Sequence, residues 1–361
     1  MGNDRLIYFR ADGNDRIATG HLVRCLSVAD ACQKHGMAAH FLVSDAVSAS
    51  LLKETLLAPF PVTCLPGACC DNPERELPAL LPLLAASGPE KPLFFLDSYF
   101  VTEPYLDAVG RIAKTAYLDD LQLFDYPVDL LINYDVIPKQ AMPSFRAFYG
   151  RAKKCLLGAS YTPLGSRFAN REMPVRATVS QVLVTTGASD PHHFCLSFID
   201  RLEKMLFRRP DSFSGMTFHI VAGSLNYDAE TLFAVARRLP CLRVHGHVSD
   251  MASLMEDCDL AVSASGTTLY ELCALGVPAV SYTMADNQLA SARAFAAVGA
   301  IPCAGDIRSS MEHSLDGIFD FLTQMSQKDR SFAKRKSAHE IMRGLIDGNG
   351  SARIAEALLP L

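Results

Sequence analysis

Three observations predict two doubly wound α/β domains with parallel sheets, facing each other across a cleft. Short apolar runs alternate with amphipathic stretches along the chain, the pattern of right-handed βαβ units. At 361 residues the chain is long for one such domain and comfortable for two. The alternation is interrupted at 161–176, where Pro163, Gly165, Pro174 and several arginines show no periodicity.

In the first domain, 1–160, strands are expected at Leu6–Ala11, His40–Ser44, Leu93–Asp97, Thr115–Leu118 and Leu130–Ile132. Helical stretches such as His21–His35 and Glu103–Ala113 lie between them. Residues 161–176 read as the linker. In the second domain, 177–345, strands at Gln181–Thr185, Phe218–Ala222, Leu242–His245, Leu260–Val262 and Ala279–Tyr282 repeat the arrangement. Met311 to Leu361 is helical in pattern, and 346–361 is expected to pack back on the first domain. Ligands of open α/β sheets sit beyond the C-terminal strand ends, so the active site is expected in the cleft.

Net charge is −5, the sequence pI is near 6.1, and no basic block occurs, so nucleic acid and anionic membrane are not expected partners. Met-Gly-Asn-Asp-Arg leads straight into an apolar strand without a long signal-like core, and no apolar run approaches about 18 residues. A soluble, cytoplasmic protein is expected. The eleven cysteines are scattered from Cys25 to Cys303 without a C-x-x-C pair, and read as reduced core residues. Cys69-Cys70 is a strained geometry for a bridge. No metal site and no cofactor are expected.

The most informative run is Ser263 to Gln288, SASGTTLYELCALGVPAVSYTMADNQ. An apolar strand hands over through Ser265 and Gly266 to a helix that Thr267 and Thr268 open. Its unpartnered amides and positive dipole end suit a diphosphate, and Gly266 lets a phosphate come close. Glu271, three residues after Thr268, can accept from ribose hydroxyls. After a second strand, Ala285-Asp286-Asn287-Gln288 returns polar groups to the same crevice. The same composition also suits a plain N-cap with Glu271 as capping-box partner.

In the first domain, Arg10-Ala11-Asp12 closes the first strand, and Thr19-Gly20-His21-Leu22-Val23-Arg24 opens a helix. A histidine in a first helical turn tends to be neutral and can take a proton from water. Arg24, three residues on, is expected to hold a diphosphate or orient a carboxylate such as Asp12. His21 could equally cap the turn or pack between strand and helix.

The Ser263–Gln288 run resembles the C-terminal nucleotide-binding half of two-domain, Rossmann-like sugar-nucleotide enzymes, the lipid-II-forming N-acetylglucosaminyltransferase among them. Arg10-Ala-Asp12, the Thr19-Gly20-His21 turn, Asp97-Ser98-Tyr99, Tyr117-Leu118-Asp119-Asp120, Leu156–Tyr161, Gly187–Pro191 and Ala285–Gln288 together resemble the UDP-sugar hydrolase of pseudaminic acid biosynthesis, also labelled a spore-coat polysaccharide family. The resemblance covers about 5 to 300. It implies a glycosyltransferase-B-like fold and hydrolysis of a UDP-linked diacetamido-trideoxy sugar, with inversion and without a metal. His21 would then be the general base, Tyr99 and Asn287 would position water or sugar, Glu271 would bind ribose, and Gly266 to Thr268 would bind the diphosphate. Ser265, Asp286, Gln288, Arg10, Asp12, Gly20 and Arg24 would line the substrate, and uracil would meet backbone near His247-Val248. Inversion fits this division, since water attacks opposite the leaving group.

Three departures bear on the sugar: Ala18 and Ala188 stand where the family has glycine, and Leu164-Gly165-Ser166-Arg167-Phe168 lacks its arginine and glutamate. The alternatives are a glycosyltransferase using a UDP-sugar donor, or a nucleotide-sugar-binding protein without turnover. Asp119-Asp120, adjacent at a strand end, are expected to point apart and serve a turn. His192-His193 reads as a solvated helix start, Asp190 as a cleft residue or a simple cap, and His247 as a supporting residue near the base.

Overall fold

The computed structural model describes all residues except 1–4, 15, 16, 18, 89, 172, 224, 225, 247, 328 and 329. The chain forms two compact units, Met1–Ala169 with Gly348–Leu361, and Asn170–Asp347.

Among the described residues of the first unit, seven strands form one sheet: β1 (Arg5–Ala11), β2 (Met37–Val43), β3 (Val62–Cys64), β4 (Leu93–Asp97), β5 (Lys114–Leu118), β6 (Leu130–Asn133) and β7 (Lys154–Leu157). Their order is β3-β2-β1-β4-β5-β6-β7, and every pairing is parallel. The crossovers carry α1 (Gly20–Lys34), α2 (Ala46–Ser50), α3 (Leu77–Ala85), α4 (Glu103–Gly110) and α5 (Met142–Phe148). The inner strands are buried on both faces, Phe9, Phe95 and Ile132 completely, and each such side chain contributes about 1.5–3 kcal/mol of transfer free energy. Strand order reverses between β1 and β4, so the loops leaving these strands flank the crevice where doubly wound sheets bind ligands.

Among the described residues of the second unit, six strands follow the same plan: β8 (Gln181–Thr185), β9 (Thr217–Val221), β10 (Leu242–His245), β11 (Leu260–Ala264), β12 (Ala279–Thr283) and β13 (Cys303–Asp306). They are ordered β10-β9-β8-β11-β12-β13, again all parallel, with the reversal between β8 and β11. The helices are α6 (Phe194–Arg208), α7 (Ala229–Ala236), α8 (Met251–Asp257), α9 (Thr268–Leu275), α10 (Leu289–Ala297), α11 (Met311–Ser326) and α12 (Phe332–Leu345). Val182, Val184, Phe218, Ile220, Val262 and Tyr282 pack with Phe194, Phe198 and Phe319 on one face of this sheet.

The last helix, α13 (Gly350–Leu358), belongs to the first unit and packs on α1. Gly348 has φ +80°, and a Cβ on Gly350 would stand 2.0 Å from the Thr162 carbonyl oxygen, so only glycine lets the chain lie against 162–168. None of the described helices is long and apolar enough to cross a membrane.

The α/β class with two parallel doubly wound sheets is as expected from the sequence. Strands β3, β7 and β13 lie outside the sequence reading. All three are sheet edges, three or four residues long, and Val-Thr-Cys, Lys-Cys-Leu-Leu and Cys-Ala-Gly-Asp lack the apolar run that marks a buried strand. The segment read as a linker, 161–176, follows a 3-10 turn at Ala159–Tyr161 and holds another at Ser166–Phe168, and the unit boundary falls inside it at 169/170.

Candidate active site

In the first unit the chemistry collects at the β1/β4 crevice. Gly20 is the exposed first residue of α1, and the helix turns His21, Arg24 and Cys25, spaced one turn apart, toward the sheet. They converge on Asp97, the last residue of β4, which pairs with Ala11 of β1. His21 Nδ1 lies 2.6 Å from Asp97 Oδ1. Arg24 clasps the same carboxylate, Nε to Oδ2 at 2.5 Å and Nη2 to Oδ1 at 2.6 Å, while Cys25 Sγ donates to Oδ2 at 3.8 Å. Through Nη1, Arg24 continues to Asp120 Oδ2 at 2.9 Å and to the Tyr134 hydroxyl at 2.6 Å.

Burial works to raise the Asp97 pKa, but the Arg24 guanidinium and His21 outweigh it and hold the carboxyl well below the usual range. An ionised Asp97 fixes the tautomer of His21, with the proton on Nδ1 and the lone pair on Nε2. Arg24 Nη2 also approaches Nδ1, at 3.1 Å, but the contact to the carboxylate is shorter and charge-assisted, and it decides the assignment. No described residue hydrogen-bonds to Nε2. Tyr99, half-buried, stands edge-on to the imidazole with centroids 4.4 Å apart. His21 itself is 2% exposed.

Arg10 and Asp12 form a separate buried group. Arg10 binds Glu76 through Nε at 2.9 Å and Nη2 at 2.8 Å, and Asp12 through Nη1 at 2.7 Å. Asp12 also takes the Ser44 amide, and Glu76 takes the Tyr105 hydroxyl, both at 2.7 Å. Of the two roles expected for Arg24, it orients a carboxylate, but that carboxylate is Asp97 and not Asp12. Asp12 faces β2 and is neutralised by Arg10, whereas Arg24 spans Asp97 and Asp120. Asp119 and Asp120 point apart. Asp119 receives the Leu121 and Gln122 amides and the Tyr126 and Tyr149 hydroxyls, and so anchors a turn.

In the second unit, β11 runs through Ser265 and Gly266 into α9, whose cap residue Thr267 makes no side-chain capping bond. The amides of Thr267 and Thr268 precede the first closing bond, Leu269 N to Gly266 O at 3.1 Å. A Cβ on Gly266 would meet nothing within 4 Å, so the space before this helix end is open. Glu271 is half-buried in the first turn. Ser265 is committed elsewhere, its amide and hydroxyl both bonding Tyr282 O at 2.9 Å. Beyond β12, Asp286–Gln288 is a 3-10 turn in which Asn287 is exposed. Gln288 Oε1 accepts from Met284 N at 3.0 Å, and Asp286 pairs with Arg308 at 2.8 Å. Val248 is half-buried past β10, an edge strand separated from β11 by β9 and β8. His247 and Ala18 lie outside the described residues. The positive φ of the 187–190 turn falls on Gly187, at +86°, and not on Ala188, which alanine therefore fits without strain.

Asp190 caps α6, accepting from Phe194 N at 2.8 Å and Cys195 N at 2.9 Å. His193 pairs with Asp228 at 2.6 Å. No group of metal-ligating side chains is found among the described residues. The residues that sequence reasoning left without a role are Asp97, Tyr134 and Asp135. For Asp97 the available signal was an apolar strand, Leu-Phe-Phe-Leu, ending in an acid at a crevice.

No family model matches the chain. It is 28% identical over 206 residues to the spore coat polysaccharide biosynthesis protein SpsG of Bacillus subtilis, covering 56% of this chain and 58% of that protein. An uncharacterised protein of Methanocaldococcus jannaschii, MJ1062, is 24% identical over 285 residues, 74% of this chain and 54% of that one. The chain thus spans little more than half the length of these relatives. Among solved structures, Acinetobacter baumannii MurG matches with TM-score 0.66 and 15% identity over 99% of this chain and 100% of that one. LpCGTa in complex with UDP matches with TM-score 0.64 and 16% identity over 99% of each. The chain is therefore a homologue of SpsG with the two-sheet fold of the glycosyltransferase-B enzymes.

Proposed function

We propose that this chain hydrolyses a UDP-linked amino-deoxy sugar, of the 2,4-diacetamido-2,4,6-trideoxyhexose type, in surface polysaccharide or nonulosonic acid biosynthesis. The observation that carries the reading is the His21–Asp97 pair. A buried, ionised carboxylate holds one imidazole nitrogen and leaves the other as a base. Water gives a proton to His21 Nε2 as its oxygen bonds the anomeric carbon from the face opposite the nucleotide. The bond from that carbon to the diphosphate oxygen breaks, and its electrons leave with UDP. Amides of the Gly266–Thr268 turn and the positive end of α9 would stabilise that charge, Glu271 would hold the ribose, and Tyr99 and Asn287 would position water and sugar. Homology to a polysaccharide-biosynthesis protein, and a structural neighbour solved with UDP, support the nucleotide-sugar class.

The likeness to glycosyltransferases favours a second reading, in which the same base deprotonates an acceptor hydroxyl. Incubating the pure protein with a panel of UDP-sugars in EDTA, and following UDP and anomeric configuration by NMR, separates the two. Hydrolysis gives UDP and inverted free sugar without an acceptor. Release of UDP only when an acceptor is added establishes the transferase, and UDP binding without product from any sugar rejects both.

A further inference from the structure

Three adjacent parallel strands each deliver a carboxylate to the same rim, beginning with the Asp97 that holds His21. Asp97 ends β4, Asp120 lies two residues past β5, and Asp135 lies two residues past β6. Neighbouring strands stand about 4.8 Å apart, so these groups form a short row running away from the base. Arg24 neutralises two of the three, taking Asp97 with Nε and Nη2 and Asp120 with Nη1. Its remaining reach goes to the Tyr134 hydroxyl. No described cation bonds to Asp135, although Arg24 acts on it from a distance. Among the described residues its oxygen receives only the Asn133 amide, at 3.2 Å, and its own backbone N–H donates to Asn133 Oδ1 at 3.0 Å, which fixes where the carboxylate stands.

We propose that Asp135 is a substrate-binding residue of this site, a carboxylate that accepts a hydrogen bond from an O–H or N–H of the sugar placed beside His21. The inference rests on the nucleotide-sugar reading above and specifies one contact of it. Proteins do not ordinarily leave a half-buried anion beside two others without a cation bonded to it, because burial and like charge both oppose it. A donor on the ligand supplies the missing partner. The groups facing Asp135 are Asp119 and Asp120 beyond β5, Arg24 on α1, and Asn133 at the end of β6. Burial is the largest influence among them, and with the two aspartates it lifts the Asp135 carboxyl to about 6 against the pull of Asn133 and Arg24. The acceptor is therefore charged at neutral pH and loses its charge as the pH falls through that value.

The test compares Asp135→Asn and Asp135→Ala with the wild type, using UDP alone and whichever UDP-sugar the wild type turns over. UDP affinity is expected to stay within about twofold, while KM for the UDP-sugar rises about 10- to 100-fold, the worth of one charged hydrogen bond. In the wild type KM, but not the UDP Kd, is expected to rise as the pH falls below about 6, and Asp135→Asn should abolish that dependence. The wild-type pH series needs no variant to fold. Unchanged KM in both variants, or a wild-type KM flat across this range, overturns the proposal while leaving hydrolysis intact. Absence of turnover with every UDP-sugar, in wild type as well, overturns the parent reading and this contact with it.

Discussion

His21 and Asp97 are 76 positions apart in sequence and meet only because β1 and β4 are neighbours in the sheet. Replacing His21 with alanine removes the base and should lower kcat about 10²- to 10⁴-fold, with UDP binding measured by calorimetry unchanged. Asp97→Asn keeps the shape but allows the wrong imidazole tautomer, and a comparable loss of kcat is expected with little change in KM. The Asp97 pKa is depressed in the folded state, so its contribution to stability is fully present above about pH 4 and is lost as the pH falls below that. Thermal unfolding followed between neutral and acid pH should therefore show a shallower acid decline in Asp97→Asn than in the wild type. Asp135 has the opposite sign. Its raised pKa makes the charged form a liability as the pH rises through about 6, and Asp135→Asn should melt a few degrees higher than wild type at neutral pH.

At the scale of elements, α9 is the part whose geometry invites an anion. Its first amides precede any closing bond, Thr267 supplies no cap, and the space before Gly266 is open. Gly266→Asp should be tolerated in folding, because its Cβ meets nothing, yet it places a negative charge where the diphosphate would sit. UDP affinity should fall at least about tenfold while the melting temperature moves little. Equal UDP affinity in this variant would place the nucleotide elsewhere. These helix starts were legible in the sequence because a glycine-containing turn after a buried strand is a local signal. Edge strands β3, β7 and β13 were not legible, since pairing on one side only makes no demand for a long apolar run. The side-chain partnerships were mostly illegible as well. Arg24 was read as holding a diphosphate or orienting a carboxylate such as Asp12, and it takes the topology of the sheet to see that the carboxylate is Asp97 and that Arg10 already occupies Asp12.

For the molecule as a whole, the candidate base and the candidate nucleotide turn belong to different units. The base, its carboxylate and Tyr99 belong to the first unit, and the α9 turn, Glu271 and Asn287 to the second. Variants of the first group, and of Asn287, should change turnover and leave UDP binding intact, and variants of the α9 turn and of Glu271 should weaken UDP binding. The first unit is closed by the last residues of the chain, α13 on α1, through the tight approach at Gly350. Gly350→Val sets a Cβ against the Thr162 backbone and should cost more than about 3 kcal/mol, lowering the melting temperature and soluble yield even though it lies far from His21 in sequence. The central claim, that His21 held by Asp97 activates water against a UDP-sugar, is tested most directly by NMR of sugar release in EDTA, without acceptor, by the wild type and His21→Ala side by side. The wild type should form UDP and free sugar of inverted anomeric configuration, and the variant, still binding UDP, should form almost none. Wild-type turnover by His21→Ala would contradict the account.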